Sequence, residues 1–267
     1  MDFVPDINLA RKTHDWLGYR EYSDAYVVSN ENLYQSIELM PQNCNRALTV
    51  AASGDHPFSC SLGGAKEVDT FDVSYNAGLV TKMKVLAIGC LDYLDYWDFL
   101  LDLTNKRDFI HIPNMDKIAP NLSPTEYNYL RSMRGCHIFS RGISPGRTEF
   151  DISRQDYEIL QEIVKKPYDF MMTDVVNLSG KLTENYDFIH LSNVFDYLPA
   201  ISQLDVLQFL VKHVNVGGRI FVSHLVGRPV CREFFVGGKE FSDSGAFKDW
   251  RIVETANNDI SVFERTR

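Results

Sequence analysis

The run Ala47-Leu48-Thr49-Val50-Ala51-Ala52 constrains this chain more than any other stretch. It is apolar and partly β-branched, and it stops abruptly at Ser53-Gly54-Asp55, followed by His56-Pro57-Phe58. A strand covered on both faces reads as a near-continuous apolar run rather than an alternation, and such strands belong to parallel sheets. A strand that opens into small residues and then a helix sets a ligand loop at its carboxyl end. Small side chains there let backbone N–H groups approach a ligand closely, and the helix N-terminus adds positive potential. Glu67-Val68-Asp69-Thr70-Phe71-Asp72 repeats the pattern and ends on a carboxylate. A loop after one strand and an acid closing the next are the two halves of a nucleoside site.

The same alternation organises most of the chain. A helix over 57–62 is expected after the first strand. Ser74 reads as the N-cap of a helix through Ile88, with Leu79, Met83, Val85 and Leu86 as its apolar face. After an interruption the pattern resumes with a helix over 155–165, a strand over 168–173 that ends at Asp174, and a strand over 185–191 that runs into Ser192-Asn193. Ser202 is expected to cap a helix through His213, and Val216-Gly217-Gly218 to turn into a strand over 219–223. Two final strands, 251–255 and 260–265, flank Ala256-Asn257-Asn258-Asp259, a hairpin signal. Residues 46–267 are therefore expected to form one α/β domain, its mostly parallel sheet ending in an antiparallel hairpin. Short helices over 8–17 and 30–39 stand outside the alternation, so residues 1–45 are expected to form a helical lid over the pocket. In it, Tyr22 and Tyr34 can stack on a ligand or hydrogen-bond to it; packing of the lid against the domain is the equal alternative.

Residues 90–150 break the pattern and are expected to form a helical insert. Asp92, Asp95 and Asp98 recur at steps of three on an amphipathic helix. Exposed aspartates without further ligands make a poor cage, so this row reads as a solvated face and no metal is expected. Further on, Arg131, Arg134, Arg141 and Arg147, with His137, lie between Glu126 and Glu149 with no acid among them. In a chain of net charge -9 such a cluster suits an anionic acceptor, a phosphate or a carboxylate. The other reading is a set of surface arginines paired to the acidic body.

The acidic balance argues against a general nucleic-acid or anionic-membrane surface. No apolar run approaches the roughly 20 residues of a membrane span, and Met1 to Asp6 has neither the basic start nor the apolar core of a leader. The five cysteines, odd in number and without a CxxC pair, argue for a reducing cytoplasm and for buried small hydrophobes.

The glycine pattern narrows the ligand. A dinucleotide loop wants three spaced glycines to admit a pyrophosphate, whereas this loop has Gly54 alone. One glycine beside Asp55 suits instead a ligand with an amino group and a carboxylate, such as S-adenosylmethionine. Its amine would meet Asp55 or a backbone carbonyl, and its carboxylate the backbone N–H groups. Asp72 is placed to accept from a ribose diol, Asp174 from the exocyclic amine of a base, and Ser192 and Asn193 end the strand where reacting groups are presented.

The pieces Leu48-Thr49-Val50-Ala51-Ala52-Ser53-Gly54-Asp55, Phe71-Asp72-Val73-Ser74 and Leu191-Ser192-Asn193-Val194-Phe195-Asp196-Tyr197-Leu198 resemble the methyltransferase-fold family that includes the bacterial betaine-lipid enzyme. That family moves a 3-amino-3-carboxypropyl group, rather than methyl, from S-adenosylmethionine. The resemblance covers about 46–223. It implies a Rossmann-like class I methyltransferase fold with a seven-stranded sheet, and cofactor contacts at Ser53, Gly54, Asp55, Asp72, Asp174 and Ser192. Within the family, the chain's length and arginine-bearing insert are similar to the branch that matures microcin C-type peptidyl-nucleotide antibiotics. There the acceptor is a phosphate and a partner decarboxylase trims the added group. A phosphate acceptor needs cations and no base. A hydroxyl or amine acceptor needs a base, with Asp196, Tyr197 or His190 nearest, although a buried, hydrogen-bonded His190 is the plainer reading. Methyl transfer to a small molecule, or a non-catalytic cofactor-binding subunit, are the alternatives.

Overall fold

The computed structural model describes residues 27–29, 31–104, 112–132, 152–223, 249–254 and 260–267. The expected helix over 8–17, Tyr22, the turn over 256–259, Arg134, His137, Arg141, Arg147, Cys136 and Cys231 lie outside these residues. The first described helix, α1 (Leu33–Glu38), leads to β1 (Arg46–Val50), α2 (Asp55–Leu62), β2 (Glu67–Asp72) and α3 (Tyr75–Cys90). The insert contributes α4 (Tyr93–Thr104), α5 (Met115–Ile118) and α6 (Pro124–Ser132). Next come α7 (Arg154–Ile163), β3 (Asp169–Met172), β4 (Tyr186–His190), α8 (Ala200–Leu210), β5 (Val214–Ser223), β6 (Trp250–Glu254) and β7 (Ile260–Arg265).

The strands form one seven-stranded sheet in the order β3-β2-β1-β4-β5-β7-β6. β1 to β5 are mutually parallel where they pair, and β7 runs antiparallel to both β5 and β6. Without β7 the order is that of a doubly wound nucleotide-binding sheet. The antiparallel strand inserted between β5 and β6 makes it the class I methyltransferase-like arrangement. Strand order reverses between β1 and β4, so the crevice that such sheets offer a ligand opens at the carboxyl ends of those two strands.

Alternate strand residues face opposite layers. Leu48, Val50, Ile189, Leu191 and Val222 pack with Val206, Leu207 and Leu210 of α8. Ala47, Phe188 and Phe221 pack on the other side with Cys60 of α2. A third cluster joins α3, α4 and α7, and Val27, Val28 and Leu33 are buried within it. The described part of the N-terminal segment is thus built into the core.

Local structure departs from expectation at three points. Ser74 does cap α3, its Oγ accepting from Ala77 N at 3.3 Å, but α8 begins at Ala200 behind Pro199, two residues before Ser202. Val216-Gly217-Gly218 is no turn before a strand; it lies inside β5, where Gly217 has φ +80° and the register against β4 shifts between Tyr186 and Phe188. This is a bulge, and a Cβ on Gly218 would come within 2.7 Å of Val214 and 2.9 Å of the Asp187 carbonyl oxygen. Finally, Cys44 and Cys60 are buried as expected, but Cys90 is exposed at the end of α3. No helix among the described residues is long and apolar enough to cross a membrane.

Candidate functional site

The loop after β1 is held by the acid that ends β2. Ala52 has φ +45°, and its N–H donates to Asp72 Oδ2 at 2.9 Å; Asp72 Oδ1 accepts from Ser74 N at 2.9 Å. Gly54, at φ +84°, then turns the chain into α2. Burial pushes the Asp72 carboxyl up, against the pull of these backbone N–H groups. Each carboxylate oxygen still has a lone pair to offer, which leaves Asp72 able to accept from a diol. Thr173 N donates to the Asp72 carbonyl at 2.8 Å, which brings the end of β3 alongside. There Asp174 is half-buried, and both its oxygens accept from Asn177, one from the backbone and one from the side-chain amide, each at 2.7 Å.

Asp55 is not open to a ligand amine, because the protein supplies the amine. Lys84, fully buried on α3, donates to Asp55 Oδ1, to the Val27 carbonyl at 2.8 Å and to the Ser53 carbonyl at 3.0 Å. Three donors meet three acceptors. The other oxygen, Oδ2, accepts from Ser29 N at 2.7 Å and Ser53 Oγ at 3.0 Å. Burial pulls the Lys84 ammonium down while Asp55 holds it up. Three of the loop's own N–H groups are also engaged. Ala52 N serves Asp72, Gly54 N the Ala51 carbonyl at 2.7 Å, and Asp55 N the Ser53 hydroxyl at 3.4 Å.

A second buried carboxylate sits over the strand-order reversal. Glu31 accepts from Ser192 Oγ, just past β4, and from Ser223 Oγ, ending β5, at 2.6 Å; His56 Nε2 in the first turn of α2 lies 3.3 Å from Oε1. Burial pushes its carboxyl up, but the His56 ring, the Ser192 hydroxyl and His190 more than reverse this and hold it down at about 2. Ser192 itself sits at φ +53°, and Asn193 Oδ1, 3.3 Å from its hydroxyl, is a weaker alternative acceptor for the same hydrogen.

Below this group, His190 is fully buried, stacked on Phe221 with ring centroids 4.5 Å apart and meeting the His56 ring edge-on at 5.2 Å. Among the described residues, neither ring nitrogen of His190, nor Nδ1 of His56, has a hydrogen-bond partner. The expectation of a buried His190 holds; a side-chain hydrogen-bond partner for its ring is not found among the described residues. Burial, with the neighbouring His56, pulls its pKa down to about 3. A neutral imidazole of that pKa, closed off from solvent, is a poor general base. Nor does the arrangement activate Ser192: a carboxylate held near 2 is a poor proton acceptor for a hydroxyl, so the serine is set to hold a ligand rather than attack one.

The structure therefore brings Ser53, Gly54, Asp55, Asp72 and Ser192 to one end of the sheet, with Asn193 beside them. Tyr34 lies elsewhere, its hydroxyl donating to Asp156 Oδ2 of α7 at 2.8 Å. Tyr197 is 37% exposed on the 3₁₀ turn Val194–Tyr197 that follows β4. Arg131 is exposed on α6, its guanidinium 5.9 Å from the Tyr127 ring centroid. In the acidic row, Asp92 is exposed and caps α4 through Leu94 N and Asp95 N, and Asp95 pairs with Lys117 at 3.1 Å. Sequence reasoning missed Lys84, Glu31 and His56. For Lys84 a signal existed: Val80, Lys84 and Ile88 are spaced by four along one face of α3.

Solved structures similar to this chain include the ribosomal protein L11 methylase of Lactobacillus delbrueckii subsp. bulgaricus, at 12% identity over 88% of this chain and 77% of that one, with a TM-score of 0.43. Another is an rRNA methylase of Streptococcus thermophilus, at 10% identity over 90% and 99%, TM-score 0.41. A third is the N-methyltransferase NodS of Bradyrhizobium japonicum WM9 in complex with S-adenosyl-L-homocysteine, at 14% over 89% and 100%, TM-score 0.38. At these values the likeness is one of general arrangement and gives no residue here a role. No protein-family model and no curated protein sequence matches the chain.

Proposed function

We propose that this chain is an S-adenosylmethionine-dependent transferase. The observation that carries the reading is the sheet order, with its reversal between β1 and β4 and the antiparallel β7. At that reversal the chain collects a left-handed loop tied to Asp72, together with the Ser192-Asn193 step. The residues fit the cofactor in two respects: Asp72 keeps acceptor capacity for a ribose diol, and the crevice holds a buried carboxylate, Glu31, with no lysine or arginine on it among the described residues.

When bound, S-adenosylmethionine supplies an already activated sulfonium, so the protein's task is to orient one carbon toward the acceptor. Asp72 would hold the ribose and Ser192, braced by Glu31, would fix the floor beside the reacting end. Asn193 and the partly exposed Tyr197 are the groups past β4 that can meet an acceptor.

The group transferred has two readings. Methyl transfer is what the fold by itself supports. Transfer of 3-amino-3-carboxypropyl is supported by the resemblance of the Ala-Ser-Gly-Asp and Ser-Asn-x-x-Asp-Tyr pieces, and with it a phosphate acceptor held by Arg131, Arg134, Arg141 and Arg147 and a partner decarboxylase. Mass spectrometry of the nucleoside product decides. S-adenosylhomocysteine marks methyl transfer and methylthioadenosine marks aminocarboxypropyl transfer. Binding without either product, across phosphate, hydroxyl and amine acceptors, would leave a non-catalytic cofactor-binding subunit.

A further inference from the structure

Two buried carboxylates stand near the crevice between β1 and β4, and the protein treats them differently. Asp55 faces a fully buried lysine whose three donors are all spent. Glu31 faces two hydroxyls and an imidazole edge, with no lysine or arginine in contact among the described residues. It is 8% exposed, and its bonds reach the helix after β1, the residue after β4 and the end of β5. A single side chain thereby spans the point where strand order reverses. Ser192 and Ser223 are neutral donors, and the His56 ring 3.3 Å away is the one ionisable nitrogen on Glu31 among the described residues; a carboxylate taken this far out of water gains from a second, permanent positive charge. Among the described residues, Nδ1 of His56 and both ring nitrogens of His190 are also without hydrogen-bond partners, so the surroundings of Glu31 are polar and incompletely matched by those residues.

Resting on the cofactor reading above, we propose that Glu31 is the anchor for the α-ammonium group of the cofactor's amino-acid tail, the role that the loop sequence would have given to Asp55. The ligand's cation completes the crevice as Lys84 completes Asp55. Ser192 and Ser223, by donating to the two oxygens, aim the carboxylate, and they are positioning residues in this scheme. No proton or bond changes hands; the interaction is a charge-assisted hydrogen bond.

The test is calorimetric titration of the full chain with S-adenosylhomocysteine and with its analogue lacking the α-amino group, in wild type and in Glu31→Gln. Wild type should prefer the amino ligand by about 10- to 100-fold. Glu31→Gln should lose that preference while binding the des-amino ligand as wild type does. A preference that survives in Glu31→Gln, or a loss shared equally by both ligands, overturns the assignment. Equal binding of both ligands by wild type overturns it too, and leaves the cofactor reading standing. Wild type that binds neither ligand brings down the cofactor reading and this one together. If Glu31→Gln does not fold, Glu31→Asp keeps the charge but withdraws it by one methylene. It should reduce the preference without changing des-amino affinity, and an unchanged preference counts against the proposal.

Discussion

Lys84 neutralises Asp55 where solvent does not reach, so removing either partner strands a charge. Lys84→Met should destabilise the protein by about 3–5 kcal/mol in urea titration. Pairing it with Asp55→Asn should restore much of that loss, because the uncompensated carboxylate is then gone. Equal losses in the single and double variants would show that the pair is not coupled. His190 makes a second residue-scale prediction. Its folded pKa, about 3, lies below the ordinary 6.5, so folding opposes proton uptake. Stability is therefore full above about 6.5 and falls as pH drops from there toward 3, by at most about 1.4 kcal/mol per pH unit. Glu31, held at about 2 against an ordinary 4.5, contributes stability above 4.5 that is lost as pH falls toward 2. Between pH 6.5 and 4.5 the difference curve between wild type and His190→Leu should report the histidine, since Glu31, held at about 2, stays ionised in the folded protein across that window. Parallel stability curves would contradict it.

Among the elements, the loop between β1 and α2 carries opposite demands at two nearby positions. Gly54 needs φ +84°, and a Cβ there would come within 3.1 Å of both Lys84 and Thr81; Ala52 already sits at φ +45° with a side chain. Gly54→Ala should cost about 1–2 kcal/mol or more, whereas Ala52→Gly should be near neutral, within about 1 kcal/mol. Thermal denaturation of the two variants checks the contrast. This is also the scale at which the sequence was most legible. Apolar runs of strand length, Ser74 as a cap and the acids at strand ends follow from local periodicity, and they are where they were expected. The bulge at Gly217 was not legible, because Val216-Gly217-Gly218 looks the same locally whether it ends a turn or bends a strand. Only the pairing with β4, Tyr186 opposite Val214 and Phe188 opposite Arg219, distinguishes the two.

At the scale of the whole molecule, the described part of the N-terminal segment, from Val27 on, is tied into the carboxyl end of the sheet. Val27 and Ser29 clamp the Asp55–Lys84 pair, Glu31 bridges β4 and β5, and Tyr34 reaches Asp156 on α7. A chain lacking residues 1–45 should fail to give a cooperative unfolding transition, since Val27, Val28 and Leu33 are core residues. Such long-range ties explain why the site was only half legible. Asp72 and Ser192 could be found because each ends a strand. Glu31 lies 161 positions from the serine it binds, and no spacing rule connects them. For the same reason Asp55 was read as free, when its partner lay a helix away.

The claim on which the rest depends is that an adenosylated amino acid binds at the reversal between β1 and β4. Calorimetric titration of wild type and Asp72→Asn with S-adenosylhomocysteine tests it most directly. The prediction is saturable binding by wild type, weakened by about tenfold or more when Asp72 loses its charge. No binding by wild type, or undiminished affinity in Asp72→Asn, would contradict it.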